Sequence, residues 1–153
     1  VFSLSGCVFA PSDPKTVPIA VRMDGDVVSV LVPQCPGGSV ESAYVDDLGA
    51  EEPGVKLWQA SGFVGKSDEP ISFSSSSWSS VSGSYENLES FGVMVVTEKG
   101  EYGGGLDSDY LSQARGLPPG RYVVDGQAVT SAEYFAEAAK YPCPAPGSST
   151  AQS

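Results

Sequence analysis

The chain has 153 residues, of which 41% are hydrophobic and 18% charged, and its 8 Lys and Arg against 19 Asp and Glu leave a formal net charge of -11. That length suits one domain with a real core, while the charge sets the chain against nucleic-acid backbones and polybasic membrane contacts, which need clustered Lys and Arg. It contains no histidine, which removes Ser-His-Asp, Cys-His and the usual zinc chemistries, and no stretch approaches the roughly 20 apolar residues of a membrane span.

The first seven residues read VFSLSGC. Leu4-Ser5-Gly6-Cys7 resembles the lipobox of bacterial lipoproteins, whose cysteine receives a diacylglyceryl group before a signal peptidase cuts just ahead of it. The resemblance implies that Cys7 is the lipid attachment site and that residues 1–6 are a signal-peptide remnant. The alternative is a structural cysteine after an apolar strand start. Residues 7–18 follow as a tether, in which Pro11, Pro14 and Pro18 stiffen the chain toward polyproline II. By this reading the protein is extracytoplasmic and anchored to the bacterial cell membrane, with the membrane itself a partner through the lipid.

Three cysteines make an odd number. With Cys7 lipidated, Cys35 and Cys143 remain as a pair, each followed by proline. In an oxidising compartment they would form a disulfide closing a loop of about 108 residues, worth roughly 4–5 kcal/mol in the chain-entropy model before native strain. The other reading is two free buried thiols.

The domain proper is expected over residues 19–143. In IAVRMDGDVVSVLVP (19–33), Ile19, Val21 and Met23 alternate with Ala20, Arg22 and Asp24, the period of a half-buried strand. Asp24-Gly25 predicts a tight hairpin turn, Val27–Val32 its returning strand, and Pro33 the end. Ser39–Val45 predicts a third strand with Val40, Ser42 and Tyr44 on one face. An acidic loop over 46–54 leads to a fourth strand, Val55–Ala60, carrying Trp58. SFSSSSWSSVSGS (72–84) reads either as an exposed loop presenting Trp78 or as an edge hairpin with Phe73, Trp78 and Val81 tucked inward. FGVMVVT (91–97) is a central-strand candidate, apolar on both faces.

Gly103-Gly104-Gly105 reads as a flexible point, and Asp107–Ala114 as a short helix or irregular crossover. Pro118-Pro119-Gly120 turns into a strand through Val124. Thr130-Ser131-Ala132-Glu133 is a capping box, and Ala132, Phe135, Ala136 and Ala139 recur at helical spacing, predicting a helix from about Ser131 to Lys140 that Pro142 stops. Residues 144–153 are expected to be a disordered tail. Some seven strands, closely spaced turns and one late helix predict a mainly β fold, an immunoglobulin-like antiparallel β-sandwich with one short C-terminal helix.

The run VVSVLVPQCPGGSVESAYVDD…VKLWQASG, the late PPGRYVV and a C-terminal cysteine resemble small secreted lipoproteins of actinobacteria. The resemblance implies a β-rich cell-envelope protein from a group without an assigned activity, so no catalytic residue carries over. Trp58, Trp78 and Tyr85 are the candidate binding aromatics, although Trp58 also fits a core tryptophan between sheets. Asp46, Asp47, Asp107 and Asp109 are weak calcium candidates, since Ca²⁺ takes several oxygen ligands, with a solvated acidic turn as the other reading.

These features favour a non-enzymatic binding or interaction module for an envelope protein, a peptide or a glycan, with no cofactor and no nucleic-acid partner. The alternatives are a histidine-free envelope hydrolase using a carboxylate pair and a structural or inhibitory envelope protein.

Overall fold

The computed structural model describes residues 18–35, 38–48, 55–66, 69–85 and 90–141. The lipobox with Cys7, the tether as far as Val17, Cys143 and the tail lie outside them, as do residues 49–54 of the acidic loop.

Among the described residues ten strands form two antiparallel sheets. They are β1 (Ala20–Asp24), β2 (Val27–Leu31), β3 (Val40–Asp47), β4 (Lys56–Phe63), β5 (Ile71–Ser72), β6 (Trp78–Gly83), β7 (Phe91–Thr97), β8 (Gly100–Leu106), β9 (Arg121–Val124) and β10 (Gln127–Thr130). One sheet has the order β10-β9-β1-β2-β5 and the other β6-β4-β3-β7-β8. Their apposed faces bury Val21, Met23, Val28 and Val30 from the first sheet with Ala43, Val45, Trp58, Val93 and Val95 from the second. Among the described residues two helices, α1 (Ser108–Arg115) and α2 (Ser131–Ala138), pack on the sheets. The expected mainly β, sandwich-like architecture is therefore present, and the described residues hold two short helices where one was expected.

The immunoglobulin constant pattern places its first, second, fifth and fourth strands in one sheet and its third, sixth and seventh in the other. Here β1, β2 and β5 share a sheet with the late hairpin β9–β10, and β4 lies beside β3. The strand order is therefore not that of the immunoglobulin constant pattern.

The hairpins follow from their turns. Gly25, at φ +66°, occupies the first central position between β1 and β2, where a type II′ turn requires glycine. Between β9 and β10 both central residues have positive φ, Asp125 at 51° and Gly126 at 77°. That is the Asp-Gly pattern of a type I′ turn. Strand β10, absent from the sequence expectation, is the product of this turn.

Two further expectations change. The residues buried from β3 are Ala43 and Val45, with Ser42 and Tyr44 only half-buried. The register of β3 against β7 shifts between Val40 and Ser42, and such an irregularity reverses which alternate residues face the core. Gly103-Gly104-Gly105 is not a hinge but part of β8, paired with Met94, Val93 and Gly92. A Cβ on Gly103 would strike the Val93 carbonyl, so glycine permits this close strand approach.

The helices are capped from sequence. Asp107 accepts the Tyr110 N–H at 2.9 Å at the start of α1, whose Leu111 and Ala114 enter the core. At α2, Thr130 Oγ1 accepts the Glu133 N–H at 3.1 Å while Glu133 Oε1 accepts the Thr130 N–H at 2.8 Å. The predicted capping box is thus formed. The inward face differs from the expected one. Tyr134 and Ala138 are buried and Phe135 half-buried, whereas Ala132, Ala136 and Ala139 are exposed. The larger aromatic surface gains more by leaving water than the alanines would.

Candidate functional site

The three candidate aromatics lie in the core and do not form an exposed platform. Trp58 and Trp78 are only 4% and 5% exposed, and Tyr85 is 9% exposed. Trp58 stacks on Phe73 at 5.2 Å between ring centroids and meets Trp78 and Tyr85 edge-on at 6.2 and 5.9 Å. These offset and edge-to-face contacts are the favoured geometries of buried rings. The Trp78 indole N–H donates to the Ser72 carbonyl at 2.9 Å. Tyr85 donates to the Phe73 carbonyl at 2.7 Å and accepts from the Val28 N–H at 3.1 Å. The polar handles of Trp78 and Tyr85 thus tie one sheet to the other or to the connecting segment.

The serine-rich stretch is built around this cluster. Ser75–Ser77 is a single 3-10 turn that feeds β6, and Trp78 and Phe73 tuck inward while Val81 is half-buried. Strand β6 closes one edge of its sheet. Its Ser80 and Ser82, with Ser42, Tyr44, Gln59 and Ser61, surround a shallow depression of about 230 Å³ on the outer face.

The acidic candidates are not gathered. Among the described residues no group of three or more His, Cys, Asp or Glu side chains is placed to hold a metal ion. Asp107 is occupied as the α1 cap, and Asp109 sits in the first turn of that helix, where a carboxylate favours the helix dipole. Asp46 pairs across β3 and β4 with Lys56, whose ammonium stands 4.6 Å over the Tyr44 ring. The Asp47 N–H donates to the Val55 carbonyl at 2.9 Å, closing the strand pair before the loop.

Among the described residues, a larger concavity lies on the outer face of the other sheet. Tyr134 and Ala138 of α2 pack there on Ala20, Leu31 and Tyr122, with Val124, Val129 and Phe135 around them. Beside this contact, α2 and the β9–β10 hairpin leave a groove of about 650 Å³. Pro18, Val124, Val129, Tyr134, Ala138 and Tyr141 give it apolar walls, and Asp125, Glu133, Glu137 and Lys140 stand along it. The Tyr134 phenol donates to the Pro18 carbonyl at 2.9 Å. Burial holds that phenol well above the usual tyrosine range. The same hydrogen bond pins the chain at Pro18, beside which the groove opens. An apolar cleft with a few placed polar groups is the usual form of a ligand site. The sequence signals for it were the capping box and the Asp125-Gly126 turn, which together set α2 against the hairpin.

Cys35, just beyond β2, is disulfide-bonded; Cys7 and Cys143 lie outside the described residues. No protein-family model, curated protein or solved structure matches the chain.

Proposed function

We propose that this protein is a membrane-anchored extracytoplasmic lipoprotein, of the actinobacterial kind its motifs resemble, and that its sandwich is a non-enzymatic binding module. In this reading Cys7 carries the lipid, Cys35 pairs with Cys143, and the groove against α2 receives the partner. The observation that carries the reading is the position of the groove. It has apolar walls edged by charged side chains, and it lies beside Pro18, where the chain arrives from Leu4-Ser5-Gly6-Cys7. The disulfide at Cys35 supports an oxidising compartment.

A photocrosslinking residue at Ala136, exposed and on the groove, tests this against the same residue at Ser82 on β6. In native membranes, a discrete adduct from position 136 and none from position 82 supports the reading. No adduct from position 136, or the same adducts from both positions, overturns it.

A further inference from the structure

The groove's charges and its neighbouring edge narrow what it would hold. Resting on the groove reading above, we propose that its occupant is a peptide segment of a partner protein in which apolar residues are flanked by Lys or Arg. Val124, Val129, Tyr134 and Ala138 offer an apolar bed for the central residues. Asp125, Glu133 and Glu137 stand along that bed, Glu133 also capping α2 with Arg121 nearby, and Lys140 is the one cation among the described lining residues. Lys140 sits 3.1 Å from Glu137, and both side chains are largely exposed, at 71% and 65%. An exposed pair of this kind is worth about 0–1 kcal/mol, so an incoming cation can replace Lys140 at little cost. An acidic segment or an anionic lipid headgroup meets three carboxylates on a chain of net charge -11 and is repelled.

The main chain favours a peptide over a small ligand. Strand β10 ends its sheet, and its residues Gln127 and Val129 line the groove. The two-residue Asp125-Gly126 turn makes Val124 and Gln127 a hydrogen-bonded pair, so the next pair, Val123 and Ala128, is a non-hydrogen-bonded one. Ala128 therefore turns its N–H and C=O toward the open edge. Consistent with this alternation, the Thr130 N–H is taken by Glu133 and not by β9. A segment that runs from the groove onto this adjoining edge gains a rung of strand addition at Ala128, the main-chain recognition that edge strands provide.

The test is an amide-resolved NMR titration of the whole chain with three synthetic peptides, KKVLFVKK, QQVLFVQQ and EEVLFVEE. The expected result is saturable shifts at Val124, Val129 and residues 136–141 with the lysine peptide, and at least about tenfold weaker binding of the glutamate peptide. Binding weakens with added salt, and Glu137→Gln and Asp125→Asn each weaken it about threefold while the remaining spectrum is unchanged. Equal binding of all three peptides at these amides overturns the charge inference and leaves the groove as a site. No shift with any peptide, together with an adduct at position 136, overturns the peptide occupant but not the groove. No shift and no adduct overturn both.

Discussion

The phenolic oxygen of Tyr85 lies 3.1 Å from the amide nitrogen of Val28 and accepts its hydrogen bond, 57 residues away in sequence. The same hydroxyl donates to the Phe73 carbonyl at 2.7 Å, while Phe73 itself donates its N–H to the Val28 carbonyl. One side chain thus closes a buried loop of hydrogen bonds between β2, the segment after β5 and the residue beyond β6. Tyr85→Phe keeps the ring packing against Trp58 and Phe91 but leaves a buried donor and acceptor without this partner. It should cost about 1–3 kcal/mol, read as a lower urea midpoint with an unchanged slope. A cost near zero would mean that the bridge carries no weight.

Gly103 and Gly104 are adjacent in β8 and should respond oppositely to alanine. A Cβ at Gly103 meets the Val93 carbonyl and Met94, whereas one at Gly104 meets nothing within 4 Å. Gly103→Ala forces β7 and β8 apart and should destabilise by about 1–3 kcal/mol. Gly104→Ala, at a backbone conformation open to any residue, should stabilise by about 0.5–1 kcal/mol. Parallel thermal melts of the two variants check the sign. The same sign for both would contradict the register of β7 against β8.

Thr130 links stability to the groove. Thr130→Ala removes one half of the capping box and should cost about 1 kcal/mol. Because α2 forms a wall of the groove, amide exchange should quicken at residues 131–135 more than in β1 or β2. Exchange that quickens evenly across the domain would show that α2 is not a separately opening element.

Alkaline pH should unfold the domain through its tyrosines. Burial pushes the Tyr110 phenol up to about 12 and raises Tyr134, Tyr85, Tyr102 and Tyr122 as well. In the unfolded chain each titrates near 10. Above that pH the unfolded state has lost protons that the folded state keeps, so stability is lost as pH rises through the folded values. Urea midpoints should be level up to about pH 9 and fall from about pH 10 upward. A midpoint that rises over that range would contradict the burial of these rings.

Much of the fold was legible because its signals are local. The alternation in residues 19–32, the strand at 91–97 and the Thr130–Glu133 cap each declare themselves within a few residues. Other features depend on partners distant in sequence. Whether Gly103-Gly104-Gly105 bends or pairs is decided by the backbone of β7, and the inward face of β3 by a register shift against that same strand. Asp125-Gly126 was a readable hairpin signal that revealed β10 only once the residues after it were paired with β9.

The candidate site was less legible. Trp58, Trp78 and Tyr85 have the chemistry of a binding platform, but ring size and hydrogen-bonding handle suit a core equally well, and the packing of the two sheets decides for the core. The groove draws on Pro18, the β9–β10 hairpin and α2, which are brought together only by the tertiary fold.

Anchor and bridge are read together from the intact mass of the protein in its native membrane fraction, with and without thiol reduction. A processed lipoprotein begins at Cys7, carries a diacylglyceryl group and gains about two hydrogens when a single disulfide is reduced. An unlipidated chain that keeps residues 1–6 and has three alkylatable thiols would contradict both the anchor and the bridge.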